Sequence, residues 1–298
     1  MKKTQFLFLL FLVGLPAFAQ LSKNSKWTGG LKDRYSFTEN VIYSEVDTAS
    51  SRLDLYVPKN VSKPTPVLVW IHGGGWGRLS KDSVSGQIIP YLEYGWIVVN
   101  VDYRLTPVAL APAAVQDCRC VLRWIGTNAK RFNVDTRRIV LSGTSAGGHL
   151  ALITGMLPSG VAYDTLCATV ETPRVAAVVN HYGITDVNDL LGGVNRKGYA
   201  VSWIGDRPNR EEIARAVSPL TYVRKGLPPV FSVQGDADPT VPYTHAVRLH
   251  AALDSLGVPN EFVTIPGGKH GRFTKEENEM IKERIENFLK KYSILTTN

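Results

Sequence analysis

The chain has 298 residues, 44% of them hydrophobic and 20% charged, with a formal net charge of +8. This is ordinary globular composition, long enough for one large α/β domain with a sizeable core. No run of like charges is visible, so the basic balance reads as a mildly basic surface and not as a nucleic-acid site.

In chain order, Lys2 and Lys3 precede an apolar run over residues 6–15 and then Ala17-Phe18-Ala19. This pattern predicts a secretory signal over residues 1–19, cut between Ala19 and Gln20, and hence a secreted or periplasmic protein. The apolar run is too short to span a membrane. No cysteine stands at the cleavage site, so a lipid anchor is not indicated, and no stable membrane insertion is expected after cleavage. Loss of the leader removes two lysines and no acid, which lowers the formal charge from +8 to +6. Residues 20–40 are polar and read as a surface arm. Residues 40–46 and 52–57 alternate and predict an antiparallel hairpin, followed by a surface turn over 58–66.

A continuous apolar run at 66–71 predicts a strand buried on both faces, ending in His72-Gly73-Gly74-Gly75-Trp76-Gly77. A helix is expected over 83–94, a second buried strand over 96–103, and a long helix over 113–132. The last has Val115, Cys118, Val121, Leu122 and Ile125 at core-facing spacing. Further strands are expected at 138–143, 175–180, 229–233 and 260–265. A helix over 243–256 is stopped by Gly257, and an amphipathic closing helix over 274–292 has Ile281, Ile285 and Leu289 on one face. This alternation implies a mostly parallel central sheet with an N-terminal antiparallel hairpin and helices on both faces, in one domain over 20–298. Residues 184–215, polar and irregular with Gly192-Gly193, read as a small lid-like insertion.

The three cysteines are Cys118, Cys120 and Cys167. The spacing of the first two points them to different helix faces, so either one pairs with Cys167 in an oxidising compartment or all are small buried apolar residues. Nothing resembles a metal cluster, and no cofactor is implied.

The chemistry centres on Gly143-Thr144-Ser145-Ala146-Gly147, set between a β-branched apolar run and a helix-like segment. This is the G-x-S-x-G nucleophile elbow in its expected setting. A serine needs a base, and the base needs an acid to fix its tautomer, both on loops after strands. Of six histidines, His270 in Gly267-Gly268-Lys269-His270-Gly271 alone combines strand end and chain order. His149 lies in the helix after the elbow, His181 precedes any candidate acid, and His245 and His250 belong to a helix face. Asp238 follows a strand and is the expected acid, with Asp236 as its rival. The glycines of His72 to Trp76 free backbone N–H groups for an oxyanion, completed by the N–H of Ala146. His72 itself reads as a buried residue holding that loop. No Lys-Ser/Thr follows the glycines and no G-x-G-x-x-G forms, which argues against a nucleotide site.

With these residues in view, the chain resembles an α/β-hydrolase of the hormone-sensitive-lipase and carboxylesterase type, nearest the secreted bacterial BD-FAE-like feruloyl and acetylxylan esterases. The matching pieces are Leu53 to Pro58, His72 to Trp76, Asp102-Tyr103-Arg104-Leu105, Gly143 to Leu150, Ser218-Pro219-Leu220, Gly235 to Pro242 and His270-Gly271. The resemblance implies Ser145 as nucleophile, Asp238 as acid and His270 as base, with Gly74, Gly75 and Ala146 at the oxyanion hole. It implies a metal-independent serine esterase acting on a small ester or an esterified plant polysaccharide, acetyl or feruloyl. Trp76 and Tyr182 are candidates to line the acyl or sugar site, with core packing as the alternative for each. Two positions depart from the family pattern. Gln234 stands where a histidine is frequent, and Thr144 where an acid or serine is frequent. The lack of a large N-terminal helical cap argues against long-chain lipase activity. A serine peptidase of the same fold, a general short-chain esterase and a non-catalytic binding protein are the competing functions.

Overall fold

Continuous β-branched runs need cover on both faces, and the helices between them supply it. The computed structural model describes residues 30–46, 49–83, 86–167 and 172–296. The expected leader at 1–19 lies outside the described residues. Residues 30–34 are helical and belong to a unit ending at Arg34; Tyr35–Asn298 is a second compact unit, described here by itself.

The strands are β1 (Tyr35–Val46), β2 (Ala49–Pro58), β3 (Thr65–Ile71), β4 (Ile97–Val101), β5 (Val134–Thr144), β6 (Val175–His181), β7 (Val230–Gly235) and β8 (Asn260–Ile265). The helices are α1 (Ile89–Glu93), α2 (Ala113–Asn128), α3 (Ala146–Met156), α4 (Gly198–Ile204), α5 (Arg210–Ala216), α6 (Thr244–Ser255) and α7 (Lys275–Lys291). The strand order is β1-β2-β4-β3-β5-β6-β7-β8 in one eight-stranded sheet. β1 and β2 pair antiparallel, as do β2 and β4, and all other neighbours are parallel. The expected N-terminal hairpin and parallel sheet are both present. Every residue of β3 and of β4 is buried. α3 is buried along most of its length because Ala146-Gly147-Gly148 at its start have almost no side chain to hold it off the sheet. A Cβ at Gly147 would strike the carbonyl oxygens of Ile71 and His72, so only glycine lets the helix begin this close to β3.

Four local expectations are corrected. The supposed surface arm already forms β1 from Tyr35. The Tyr35 hydroxyl donates to the carbonyls of Leu92 (2.9 Å) and Trp96 (3.0 Å), and Phe37 stacks on Tyr56, contacts that a polar edge sequence does not announce. The helix expected over 83–94 shrinks to α1, because Pro90 lacks an N–H and fits only a first helical turn. α2 ends at Asn128, and the chain then turns through Asn133 in the left-handed region (φ 52°). The insertion at 184–215 is not irregular throughout: it contains α4 and most of α5, anchored by buried Ala200, Trp203, Ile204 and Ala214. Ser218 ties the insertion down by donating to Ala214 O (2.7 Å) and accepting from Val187 N (2.8 Å).

On α2 all five expected core positions are buried. On two other faces α2 carries Asp117, which accepts from Arg104 N (2.8 Å) and Nε (2.9 Å), and Arg119, which is paired to Asp164 at 2.7 Å. Cys120 is bonded to Cys167, with 5.5 Å between their Cα atoms, and Cys118 remains a buried thiol. This settles the choice between Cys118 and Cys120.

Candidate active site

The carboxyl ends of β5, β7 and β8 bring together three side chains that are far apart in sequence. Ser145 sits between β5 and α3 with φ 55° and ψ −119°, a left-handed conformation that a non-glycine residue adopts only when its surroundings enforce it. Its N–H donates to His181 O (2.9 Å) and its carbonyl accepts from His149 N (2.9 Å), which pins the turn from both sides. The Ser145 hydroxyl lies 2.9 Å from His270 Nε2, and His270 Nδ1 lies 2.7 Å from Asp238 Oδ2. The Asp238 side chain is buried, and its other oxygen accepts from the N–H groups of Thr240 (2.7 Å) and Val241 (3.0 Å). Its rival, Asp236, faces away to accept from Gly267 N (2.6 Å) and so holds the loop that carries His270. A carboxylate on Nδ1 leaves Nε2 free to accept the serine proton, which is the arrangement that makes a hydroxyl nucleophilic.

Beside Ser145 runs the glycine loop. Gly74 (φ 106°) and Gly75 (φ 60°) take conformations that expose backbone N–H groups, and Gly77 N returns to Gly74 O at 3.2 Å to close the turn. Among the described residues, no acceptor meets the N–H of Gly74, Gly75 or Ala146. An oxyanion requires unpaired donors of this kind. The loop is fixed from below. His72 Nδ1 meets Gly73 O at 2.7 Å, and the Tyr103 hydroxyl donates to the carbonyls of His72 (3.2 Å) and Gly73 (3.1 Å) while its ring stacks on His72. Burial holds the His72 pKa below the usual value, so the ring acts as a neutral strut.

A cavity of about 830 Å³ opens here, bordered by Gly74, Gly75, Ser145, Tyr182, Tyr199 and His270 among others. Tyr182 is thus at the cavity, edge-on to His270 with ring centres 4.7 Å apart. Trp76 is not. It is fully buried, stacked on Trp203 at 4.0 Å, and it donates through Nε1 to His149 Nδ1 (3.2 Å). The core-packing alternative holds for Trp76, because α4 covers it. A stacked pair of this kind contributes about 1 kcal/mol beyond the area it buries. Tyr199 and Ser202, both on α4, border the cavity and were not anticipated, because no motif marks them. The Tyr199 hydroxyl donates to Thr240 O (3.0 Å) and so joins the insertion to the Asp238 loop. Gln234, fully buried, donates to Val241 O (2.9 Å) from beneath that loop.

His149 accepts from Trp76 at Nδ1 and therefore donates from Nε2 to Val217 O (2.7 Å). Burial pushes its pKa down to about 4. A histidine of the unfolded chain titrates near 6.5, so between these values the unfolded chain binds more protons. Stability is therefore complete above pH 6.5 and falls as the pH drops toward 4, by at most about 3 kcal/mol from this group. Urea denaturation at pH 7.5 and 4.5 measures the loss. A His149→Gln variant is expected to show a smaller pH dependence than the parent, and an equal dependence would exclude His149 as its source.

The sequence model of the BD-FAE family matches residues 53–253. The chain belongs to the BD-FAE family. It is 27% identical over 247 residues to Esterase LipC of Mycobacterium tuberculosis, covering 80% of this chain and 60% of LipC. The chain thus spans about three-fifths of the length of that curated relative. A truncated carbohydrate esterase from gut microbiota superimposes with a TM-score of 0.74 and 29% identity, over 88% of this chain and 98% of that one. Est2, a thermophilic esterase of Thermogutta terrifontis solved with propionate bound, gives 0.74 and 27%, over 87% and 96%. The BD-FAE chain therefore has the α/β-hydrolase fold of these esterases. Among the described residues there is no group of three or more His, Cys, Asp or Glu able to hold a metal ion, and no helix long and apolar enough to cross a membrane.

Proposed function

We propose that this BD-FAE protein is a secreted serine carboxylesterase that hydrolyses acetyl or feruloyl esters of plant polysaccharides. The observation that carries the reading is the continuous chain of contacts from Asp238 through His270 to the Ser145 hydroxyl, at the mouth of a cavity flanked by unpaired backbone N–H groups. In this reading Ser145 Oγ attacks the ester carbonyl carbon while His270 Nε2 takes its proton. The carbonyl oxygen becomes an oxyanion held by the N–H groups of Ala146 and of Gly74 or Gly75, each such donor contributing about 3 kcal/mol. Collapse of the intermediate breaks the bond to the alcohol, which leaves with the proton from His270. A water molecule, deprotonated by the same nitrogen, then attacks the acyl-enzyme and releases the carboxylic acid and Ser145. Asp238 stays ionised throughout and stabilises the imidazolium.

The insertion at 184–215 serves as a small cover, since it brings Tyr199 and Ser202 to the cavity and rests on Trp76 through Trp203. Secretion is supported by the sequence of residues 1–19 and by the Cys120–Cys167 disulfide, a bond typical of oxidising compartments. The carbohydrate esterase among the similar structures supports the substrate class, and Est2 with propionate supports a short acyl group. A panel of acetylated xylan, a feruloylated oligosaccharide, short and long acyl aryl esters and a peptide anilide tests the reading. Release of acetate or ferulate well above release of long acyl chains or aniline is expected. Preferential cleavage of the anilide would replace it with the peptidase alternative.

A further inference from the structure

The main cavity carries a charge that the mechanism above does not use. Among the described residues that border it, Arg78 is the only Lys, Arg, Asp or Glu. Burial raises the pKa of Tyr182 and Tyr199, so their hydroxyls stay neutral. Arg78 is exposed, and its guanidinium meets no acceptor among the described residues. The acids around the neighbouring Lys81 already have partners. Buried Lys81 lies 3.2 Å from both Asp54 and Asp82, and Asp102 accepts from Lys81 N (2.6 Å). Thr144, where the family pattern frequently has an acid, leaves the cavity wall without an opposing charge.

The cation is held beside the oxyanion loop. A Cβ at Gly74 would strike the Arg78 carbonyl oxygen and crowd the Leu79 side chain (3.1 Å), so only glycine lets the chain fold back this tightly. Leu79, although 53% exposed, takes φ 70°, a left-handed conformation that a bulky residue adopts only under constraint. The bond from Gly77 N to Gly74 O anchors the segment on one side, and Lys81 N on Asp102 anchors it on the other. Arg78 thus leaves the chain within one tight turn of the Gly74 and Gly75 N–H groups. A cavity of about 830 Å³ encloses far more than an acetyl group and has room for the sugars around the ester. A free guanidinium on its wall selects for a carboxylate, because its fork of N–H donors fits both carboxylate oxygens.

We propose that Arg78 is a specificity residue that pairs with a carboxylate carried beside the scissile ester, so that the preferred substrates are acetylated polysaccharides bearing uronic acid branches. The proposal rests on the esterase reading and narrows its substrate class. The basic balance of the chain favours the approach of the same polymers.

The test uses the full chain and pairs of esters that differ by one charge. The first pair, 3-acetoxybenzoate and 3-acetoxybenzamide, differs on the alcohol side. The second, monoethyl adipate and its amide, differs on the acyl side. In Arg78→Gln the ratio of kcat/KM for 3-acetoxybenzoate to that for 3-acetoxybenzamide is expected to fall about fivefold, the effect of one exposed ion pair, and to do so through KM. Arg78→Lys should keep most of the ratio and Arg78→Glu should lower it further, and added salt should shrink all these differences. Calorimetric titration of Ser145→Ala with a xylotriose bearing a glucuronic acid branch, and with unbranched xylotetraose, reads the same preference without turnover. Tighter binding of the branched sugar, lost when Arg78→Gln is added, supports the assignment even if the parent hydrolyses no ester, in which case the esterase reading fails alone. An unchanged ratio and unchanged affinities in folded Arg78→Gln and Arg78→Glu proteins would overturn the proposal. An effect confined to the adipate pair would overturn the uronic acid assignment, since the carboxylate would then belong to the acyl group.

Discussion

Ser145→Ala is expected to lower kcat for an acetyl aryl ester by about 10⁴- to 10⁶-fold, the range found when the nucleophile of a serine hydrolase is removed. Of the side chains at the meeting of the glycine loop and α3, only Ser145 presents its hydroxyl to His270 Nε2, at 2.9 Å. Alanine tolerates φ 55° no worse than serine does, so the turn and the packing of α3 beneath it remain. Circular dichroism and the denaturation midpoint should accordingly match those of the parent, which separates loss of chemistry from loss of fold. A burst of 4-nitrophenol from 4-nitrophenyl acetate, equal to the enzyme concentration in the parent, should vanish in the variant. Activity retained above a tenth of the parent's would sink the acyl-enzyme mechanism.

The second large effect separates two aspartates that lie two residues apart. Asp238→Asn is expected to reduce kcat by about 10⁴-fold, because an amide can no longer hold His270 in the tautomer that accepts at Nε2. Asp238 is placed for that role by its buried side chain, its 2.7 Å contact to His270 Nδ1 and the two N–H groups that orient its second oxygen. Asp236→Asn should cost less than about tenfold, because among the described residues its side chain meets the N–H of Gly267 alone, and an amide oxygen can still accept from it. Steady-state kinetics on one acetyl ester decide the matter, and a larger loss in Asp236→Asn than in Asp238→Asn would reverse the assignment.

These two aspartates also mark how far the sequence reaches. Chain order and position after a strand narrowed the acid to Asp238 or Asp236, because both follow β7. The direction of each carboxylate depends on the path of the loop between Gly235 and Pro242, which Gln234 ties from beneath and Tyr199 from above. Tyr199 lies 41 residues from Thr240, too far along the chain for that contact to be inferred. Trp76 illustrates the same limit. Its neighbours in sequence belong to the glycine loop, which borders the cavity, but the side chain points into a stack with Trp203 that forms only when the insertion folds over it. The insertion itself looked irregular because its helices are short and its apolar residues few. Ala200, Trp203 and Ile204 bury one face of α4, a pattern too brief for a periodicity to register. Only the first residues of β1, 35–39, were hidden, since their pairing depends on partners in β2, as far on as Pro58.

By itself, the sequence determined the elements whose physics is local. The apolar runs of β3, β4 and β7 predicted buried strands, their alternation with helices implied a mostly parallel sheet, and the small residues around Ser145 predicted a tight turn before a helix. Chain order then brought Ser145, Asp238 and His270 to one edge of that sheet. What the tertiary structure alone decided are contacts between distant segments. These are the choice of Cys120 over Cys118 for Cys167, the outward turn of Asp236, the burial of Trp76 and the arrival of Tyr199 at the cavity. Each depends on which side chain reaches a partner tens of residues away, and that is fixed by packing the whole sheet and its helices together, not by any stretch of the chain taken alone.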